Sequence, residues 1–436
     1  MTVSIAVPKE AASGENRVAM VPKVAEKLLK LGVELKIQKD AGEGSRIPDA
    51  AFGDAVKIVG KASDVYGADV VLAVNVPSAA NIAQMKKGSV LISFVQAHQN
   101  AKETQALVDA GVTCFAMELV PRISRAQSMD ALSSQASAAG YKAALMAASS
   151  LERFFPMLTT AAGTIRPAKV LVIGAGVAGL QAIATAKRLG AAVEAYDVRT
   201  DTKEQVESLG AKFLVAEGIK AEAEGGYARE LTADEKKAQQ EMLEKRLSQA
   251  DAVITTAAIP GRPAPKIISK KMVESMKPGA VIVDLGAQGG GNCELTKPGE
   301  TIQVGSVTIM GPTNVPAELS EHSSEMYAQN VLNFLQLILV EEESKGDDDK
   351  KTPSPRKLEI NWDDEVMAKS VLTHGGEIKN EAAKEALAKG ASTSDKPAAK
   401  AKSKPAAKTK SKPAAKSKRK PVAKRPSKPS TKPDNK

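Results

Sequence analysis

The residues of this chain best suited to chemistry gather in one stretch, Lys169 to Asp197. Gly174, Gly176 and Gly179 give G-x-G-x-x-G directly after the apolar run Val170 to Ile173. Leu180, Ile183, Ala184, Ala186 and Leu189 then recur at helical spacing until Gly190, and a second apolar run from Ala191 ends on Asp197. Strand, glycine turn, helix, strand and acid together form a dinucleotide-binding unit. Gly174 allows the tight turn, Gly176 lets the backbone approach a pyrophosphate, and Gly179 lets helix and strand pack closely, while the helix N-terminus offers unpaired N–H groups to the phosphates. A carboxylate at the second strand tip accepts hydrogen bonds from ribose hydroxyls and repels a 2′-phosphate, so Asp197 points to NAD rather than NADP. Arg199 is the dissenting residue. The cofactor-binding set read from this unit is Gly174, Ala175, Gly176, Val177, Gly179, Asp197, Val198 and Arg199.

Two further groups carry polar chemistry. Cys114 and Cys293 stand at no metal-ligand spacing and read as buried, reduced thiols, with no metal site expected. Pro121 to Gly140 is polar and lacks clean periodicity, with Arg122, Arg125, Gln127, Asp130 and Ser133 in its first half. It reads as a loop entering a helix. Composition alone leaves two possibilities open, a loop lining a cleft between two domains or an ordinary solvated loop.

The elements that would position these groups alternate in type. Strands are expected at Ser4 to Val7, Val33 to Gln38, Asp69 to Val74, Gly88 to Phe94 and Val112 to Phe115, with helices at Val24 to Leu31, Asp49 to Val59 and Lys102 to Ala110. Such alternation predicts a parallel sheet covered on both faces. A small-residue helix, Tyr141 to Phe155, would connect to the glycine-turn domain, whose later strands are Ala252 to Ala257 and Ala280 to Leu285. The polar segment Glu217 to Glu235 reads as a mobile lid. A long helix, Ser320 to Val340, could cross back to the first domain, and Leu358 to Leu372, with the only tryptophan, should pack against the fold. The expected fold class is α/β, with two Rossmann-like parallel-sheet domains flanking a nucleotide cleft. The boundaries are residues 1–135, completed by about 325–375, then 136–324, then a disordered Lys/Ala/Pro-rich tail over 376–436.

Charge is divided unevenly along the 436 residues, whose net charge is +10. Residues 396–436 hold 16 Lys+Arg against one acid, Asp434, whereas the first 395 residues hold 45 Lys+Arg and 50 acids. The basic balance therefore belongs to the tail, which could bind polyanions or anionic lipid, or act only as a solubilising extension. The N-terminus reads as a strand without the features of a signal peptide, and Val331 to Val340 is about half of a bilayer span.

With these segments in hand, the chain resembles the NAD(H)-binding alpha subunit, or first domain, of proton-translocating NAD(P) transhydrogenase. The match covers about residues 1–375. It rests on Pro8-Lys9-Glu10 to Arg17, the loop Arg122-Ile-Ser-Arg-Ala-Gln-Ser-Met-Asp130, Gly174 to Asp197, Asp284 to Cys293, and Asn361-Trp362. The resemblance implies that Arg122, Gln127 and Asp130 hold the nicotinamide end and the domain contact, with Ser133 near the carboxamide. It also implies that Tyr227 closes over bound nucleotide and that Gln288, in the late glycine-rich turn, belongs to the cofactor site. Partner subunits that carry NADP(H) and the membrane proton channel are implied, with two copies of this subunit associating. The place would then be cytoplasmic, peripheral on the inner membrane face.

Alanine dehydrogenase shares the architecture and is the competing reading. Amino-acid oxidation needs a general acid/base and a group that polarises the carbonyl. The positions that carry lysine, histidine and aspartate in that family are Asn75, Gln96 and Ala287 here, although Arg17 and Lys9 could still grip a carboxylate. Hydride transfer between two nicotinamides needs no such set; it needs rings held at reacting distance and kept from water. A third reading is an NAD-sensing module tethered by its basic tail.

Overall fold

The structure, a computed structural model, describes residues 2–215, 232–257, 263–341, 356–385 and 387. Residues 1–392 form one compact unit. Two sheets organise it. The first runs Glu377–Ile378, Val371–His374, Thr113–Ala116, Val90–Phe94, Val70–Asn75, Ser4–Val7, Glu34–Gln38, Lys57–Val59. Its six N-terminal strands are parallel, and the two from the C-terminal end join antiparallel. The second runs Lys212–Leu214, Ala192–Tyr196, Lys169–Ile173, Ala252–Thr255, Val281–Asp284, Val307–Met310, Thr301–Val304, and only the last pair is antiparallel. The central strands are buried on both faces, which is why they read as continuous apolar runs.

Counted within each lobe, both parallel cores have the doubly wound order 3-2-1-4-5-6. Each therefore has a switch point where the strand order reverses, a place where open α/β sheets form a crevice beyond their carboxyl ends. In the first lobe this lies between Ser4–Val7 and Val70–Asn75, and in the second between Lys169–Ile173 and Ala252–Thr255.

The helix Ala131–Ser150 joins the lobes. It starts ten residues earlier than the expected Tyr141, at an Asp130 N-cap, and the boundary drawn at residue 135 falls inside it. Its small residues allow close packing: a Cβ on Gly140 would collide with the carbonyl of Ala178 in the helix Val177–Arg188. The helix Ser320–Leu335 returns to the first lobe, where Tyr327, Val331, Phe334 and Leu335 share one core with Ile5, Leu72 and Ile92.

Three expectations need correction. Asp49 to Val59 is not a helix. Asp49–Phe52 is a 3-10 turn, Gly53 breaks it with φ +76°, and Lys57–Val59 is an edge strand on Glu34–Gln38. The long helix ends at Leu335 rather than Val340, and Leu339–Glu341 pairs with Arg356–Leu358. The start of the tail also shifts, because Glu377–Ile378 is a strand and residues 381–385 are helical. The tail from residue 388 onward lies outside the described residues. So do Tyr227 and most of the lid expected over Glu217 to Glu235, whose last residues, Thr232 to Glu235, form the capped start of the helix Ala233–Leu247. Both cysteines are buried and unpaired. Among the described residues, no helix is long and apolar enough to cross a membrane.

Candidate functional site

The second lobe's switch point is built around the glycine turn. Gly174 has φ +98°, which favours glycine, and its carbonyl accepts the Thr256 hydroxyl at 3.1 Å. A Cβ on Gly179 would strike that same carbonyl, so helix and strand meet only with glycine there. Gly176 differs. A Cβ on it would meet nothing within 4 Å, so its backbone faces open space. Gly176 caps the helix Val177–Arg188 without a side-chain hydrogen bond. The first-turn N–H groups thus keep their capacity for an anion. Ala175 is buried in this turn and Val177 is 40% exposed at its rim.

Asp197 closes the turn from the neighbouring strand. Its Oδ2 accepts the Ala175 N–H at 2.7 Å and Arg199 Nη2 at 2.9 Å, and its Oδ1 accepts the Arg199 backbone N–H and Nε, both at 2.9 Å. Burial would push this carboxyl up, but the Arg199 guanidinium and the Ala175 N–H outweigh it and hold the group below the usual carboxylate range. Arg199 is therefore no solvated loop charge. It folds back on Asp197, neutralising part of the charge that would repel a 2′-phosphate, while Val198 between them is partly buried.

The late turn is held from below. Asp284 is fully buried and accepts from the Thr255 hydroxyl (2.8 Å), the Gly286 N–H (3.0 Å), the Cys293 N–H (3.0 Å) and the Thr296 hydroxyl (2.6 Å). Asn292, also fully buried, accepts the Ala257 N–H at 3.1 Å and donates to the Ala257 carbonyl at 2.7 Å. These contacts present Gln288 at the surface, where its Nε2 lies 3.4 Å from Gln99 Oε1 of the first lobe.

The loop after Val120 is a 3-10 turn, Ser124–Met129. Ala126 and Met129 anchor it in the core, and Arg122 and Gln127 are exposed. Asp130 accepts the Ser133 N–H at 2.9 Å and the Ser133 hydroxyl at 2.6 Å, so these two site candidates cap the connecting helix together. Arg125 makes a bidentate pair with Asp364 at 2.8 and 2.6 Å, next to the segment with Trp362. That tie accounts for the second arginine of the loop.

At the first lobe's switch point the polar side chains pair with one another. Glu10 accepts the Val74 N–H at 2.6 Å and the Asn75 side-chain amide at 3.1 Å. Arg17 grips Glu15 through Nε at 2.8 Å and Nη2 at 2.7 Å, and donates to Gln135 at 2.8 Å. Asn75 and Asn314 donate to Glu15 at 3.0 and 3.1 Å. Burial pushes Glu10 up to about 7. Burial acts on Glu15 too, but the Arg17 guanidinium outweighs it and holds the carboxyl down to about 2. Arg17 is thus committed to a carboxylate within the chain. Glu10, Glu15 and Arg17 themselves line, together with Lys9, Asn16, Asp40 and Glu43, a cavity of about 280 Å³. His98 is exposed and touches Gln99 at 3.1 Å, and Ala287 is fully buried.

Sequence reasoning missed Glu10, Glu15 and Glu118. Glu118 is half-buried, and its carboxylate accepts the backbone N–H groups of Val95 and Gln96. No spacing signal marks Glu10 or Glu118, because their partners are distant in sequence, whereas Glu15 has Arg17 two residues away.

Comparison with known proteins follows the same division. The family models described as alanine dehydrogenase/PNT, N-terminal and C-terminal domains, match residues 6–139 and 143–381. An NAD(P) transhydrogenase alpha-subunit protein of Rhodospirillum rubrum is 46% identical over 386 residues, covering 86% of this chain and 97% of that protein. The alanine dehydrogenase of Mycobacterium tuberculosis is 33% identical over 329 residues, covering 73% and 83%. A crystal structure of transhydrogenase from Sinorhizobium meliloti superposes with a TM-score of 0.73 at 41% identity, over 87% of this chain and 99% of that one.

Proposed function

The chain belongs to the alanine dehydrogenase/PNT family, and on that premise we propose that it is the NAD(H)-binding subunit of a proton-translocating NAD(P) transhydrogenase. Its reaction is hydride exchange with NADP(H) carried on a partner subunit, coupled to proton movement through a membrane partner. The enzyme is an oxidoreductase, and its own cofactor is NAD(H). The observation that carries this reading is the contrast between the two switch points. Nucleotide-holding groups are left open in the second lobe, whereas the three positions that carry lysine, histidine and aspartate in alanine dehydrogenases hold none of these here. Asn75 is spent on Glu10 and Glu15, Gln96 is an amide, and Ala287 is buried.

The fit to a dinucleotide rests on an uncapped helix N-terminus, the space in front of Gly176 and a carboxylate at the strand tip. Gly174 to Val177 would cradle the pyrophosphate and Asp197 the adenosine ribose. Arg122, Gln127, Asp130, Ser133 and Gln288 would set the nicotinamide end. The bound cofactor supplies the hydride. The chain's task is to orient the ring and exclude water, and no side chain has to move a proton. Asp130 and Ser133, locked in a helix cap, make a rigid floor for that end.

Two copies of the chain are proposed to associate. The hairpin Leu158–Thr160/Gly163–Ile165 is solvent-exposed, with Met157 at 64%, Phe154 at 53% and Ile165 at 44% exposure, an apolar surface suited to an identical partner. Light scattering would report a dimer, and Met157→Asp should shift it toward monomer. Peripheral attachment to the cytoplasmic membrane face follows from the partner subunits.

The deciding assay mixes the purified chain with a recombinant NADP-binding partner domain and follows NADH-dependent reduction of an NADP analogue. Turnover is expected. With alanine and NAD alone the chain should form no NADH above background, and robust alanine-dependent NADH formation would overturn the reading.

A further inference from the structure

Glu118 is half-buried, and among the described residues its desolvated carboxylate has no lysine or arginine as a hydrogen-bond partner. It sits in the 3-10 turn Met117–Leu119, two residues before Val120-Pro121 lead into the Arg122–Asp130 loop. Its carboxylate accepts the Val95 N–H at 3.1 Å and the Gln96 N–H at 2.5 Å. Gln96 has φ +48°, a left-handed conformation uncommon for a residue with a side chain. The residue opens a tight turn: the Gln99 and Asn100 N–H groups return to its carbonyl at 2.8 and 3.2 Å, and Asn100 ties back to the Val95 carbonyl at 2.8 Å. The far corner of that turn is Gln99, which meets Gln288 of the second lobe.

A desolvated charge with no cation beside it costs several kcal/mol unless its hydrogen bonds are kept. Packing alone would favour an apolar residue here. A carboxylate is explained by what it holds, two consecutive N–H groups in a conformation the chain does not adopt cheaply.

We propose that Glu118 is a positioning residue of the cleft, joining the Gln96–Gln99 turn to the start of the Arg122–Asp130 loop so that both face the second lobe in fixed register. The proposal rests on the hydride-transfer reading of that cleft. Glu118 touches no reacting atom. It acts through Gln99 and Gln288 on one side and through the loop on the other, so its removal should disturb ring placement rather than cofactor grip.

The test uses the full chain with the partner domain. Glu118→Gln should lower the hydride-transfer rate roughly tenfold while NADH affinity changes less than about threefold, a loss of positioning rather than of uniform binding. Gln99→Ala should give a smaller loss of the same kind. The double variant should be no slower than Glu118→Gln alone, because both act through one turn. Adding Gln96→Gly to Glu118→Gln should restore part of the rate, since glycine takes positive φ without strain. A parental rate in Glu118→Gln, or strictly additive losses in the double variant, would overturn the proposal. Should Glu118→Gln fail to fold, Gln99→Ala decides alone: Gln99 is exposed, and a parental rate there overturns it. Absence of hydride transfer in the parental protein would instead overturn the functional reading, so the two failures are distinguishable.

Discussion

The two lobes share a strand order and differ in what occupies the point where it reverses. In the first lobe, Glu10 satisfies the Val74 N–H, and the Arg17–Glu15 pair reaches Gln135 and Asn314. In the second lobe, Gly176 leaves an uncapped helix N-terminus facing open space. A doubly wound sheet therefore provides a crevice, but whether it takes a ligand depends on which groups the chain itself spends there. Topology predicts two sites, and hydrogen-bond accounting leaves one turn with donors to spare.

The comparison can be broken most forcefully in the first lobe's crevice, where the side chains pair with one another. Arg17→Met leaves Glu15 buried without its cation and should cost about 3–5 kcal/mol of stability. Thermal unfolding would show it, with NADH affinity at lower temperature nearly unchanged. The same crevice should shape the pH profile. Glu10 keeps its proton in the folded state up to about 7, while the unfolded chain releases it near the ordinary 4.5. Between those values the folded state binds more protons, so this group's contribution to stability falls as pH rises through the window and is flat outside it. Glu15 works in the opposite sense, its contribution lost as pH falls from 4.5 toward about 2. Glu10→Gln should flatten the upper limb of the stability profile and leave the lower one.

In the open crevice, Gly176→Val should fold normally, because a Cβ at this position meets nothing within 4 Å. It would occupy the space a pyrophosphate needs and weaken NADH binding at least roughly 100-fold, or about 3 kcal/mol. Calorimetric titration beside a thermal melt separates the two effects. Gln127→Asn retracts an exposed amide by about 1 Å and should slow hydride transfer roughly 100-fold while changing NADH affinity only a few-fold. Stopped-flow transfer at the parental rate would remove the Arg122–Asp130 loop from the nicotinamide. The smallest effect is expected at Asp197→Asn. Arg199 already offsets part of that charge, so NADH affinity should fall about tenfold and the preference over NADPH should narrow. Equal or tighter NADPH binding by the parental chain would mean that Arg199 dominates the pair.

The glycine unit was legible in the sequence because its chemistry is local: turn, helix start and acid all lie within 29 residues. The connecting helix was legible only from Tyr141. Its first ten residues, polar and small, carry no apolar stripe because several elements cover the helix, although Asp130 and Ser133 at capping distance were a usable signal. The edge strand Lys57–Val59 is too short and too exposed to show alternation. The pairing in the first lobe's crevice was illegible for another reason. Arg17 finds Gln135 and Asn314 118 and 297 residues away, and nothing in the sequence links them. The sequence left Arg17 able to grip a carboxylate from outside, where the structure commits it to Glu15.

The first sheet begins at Ser4 and is completed by Val371–His374 and Glu377–Ile378, and its core needs Tyr327, Phe334 and Met367. The second sheet is continuous from Lys169 to Met310. On the ribosome the order of maturation is thereby inverted. The later-made lobe has all its strands once Met310 has emerged, while the lobe made first waits for a helix and two strands that leave the exit tunnel later still. During that interval Thr113–Ala116 is an unpaired edge beside uncovered apolar surface, the condition that invites pairing with other chains. Release of a chain stopped near Glu341 should therefore yield a competent nucleotide lobe attached to an aggregation-prone one.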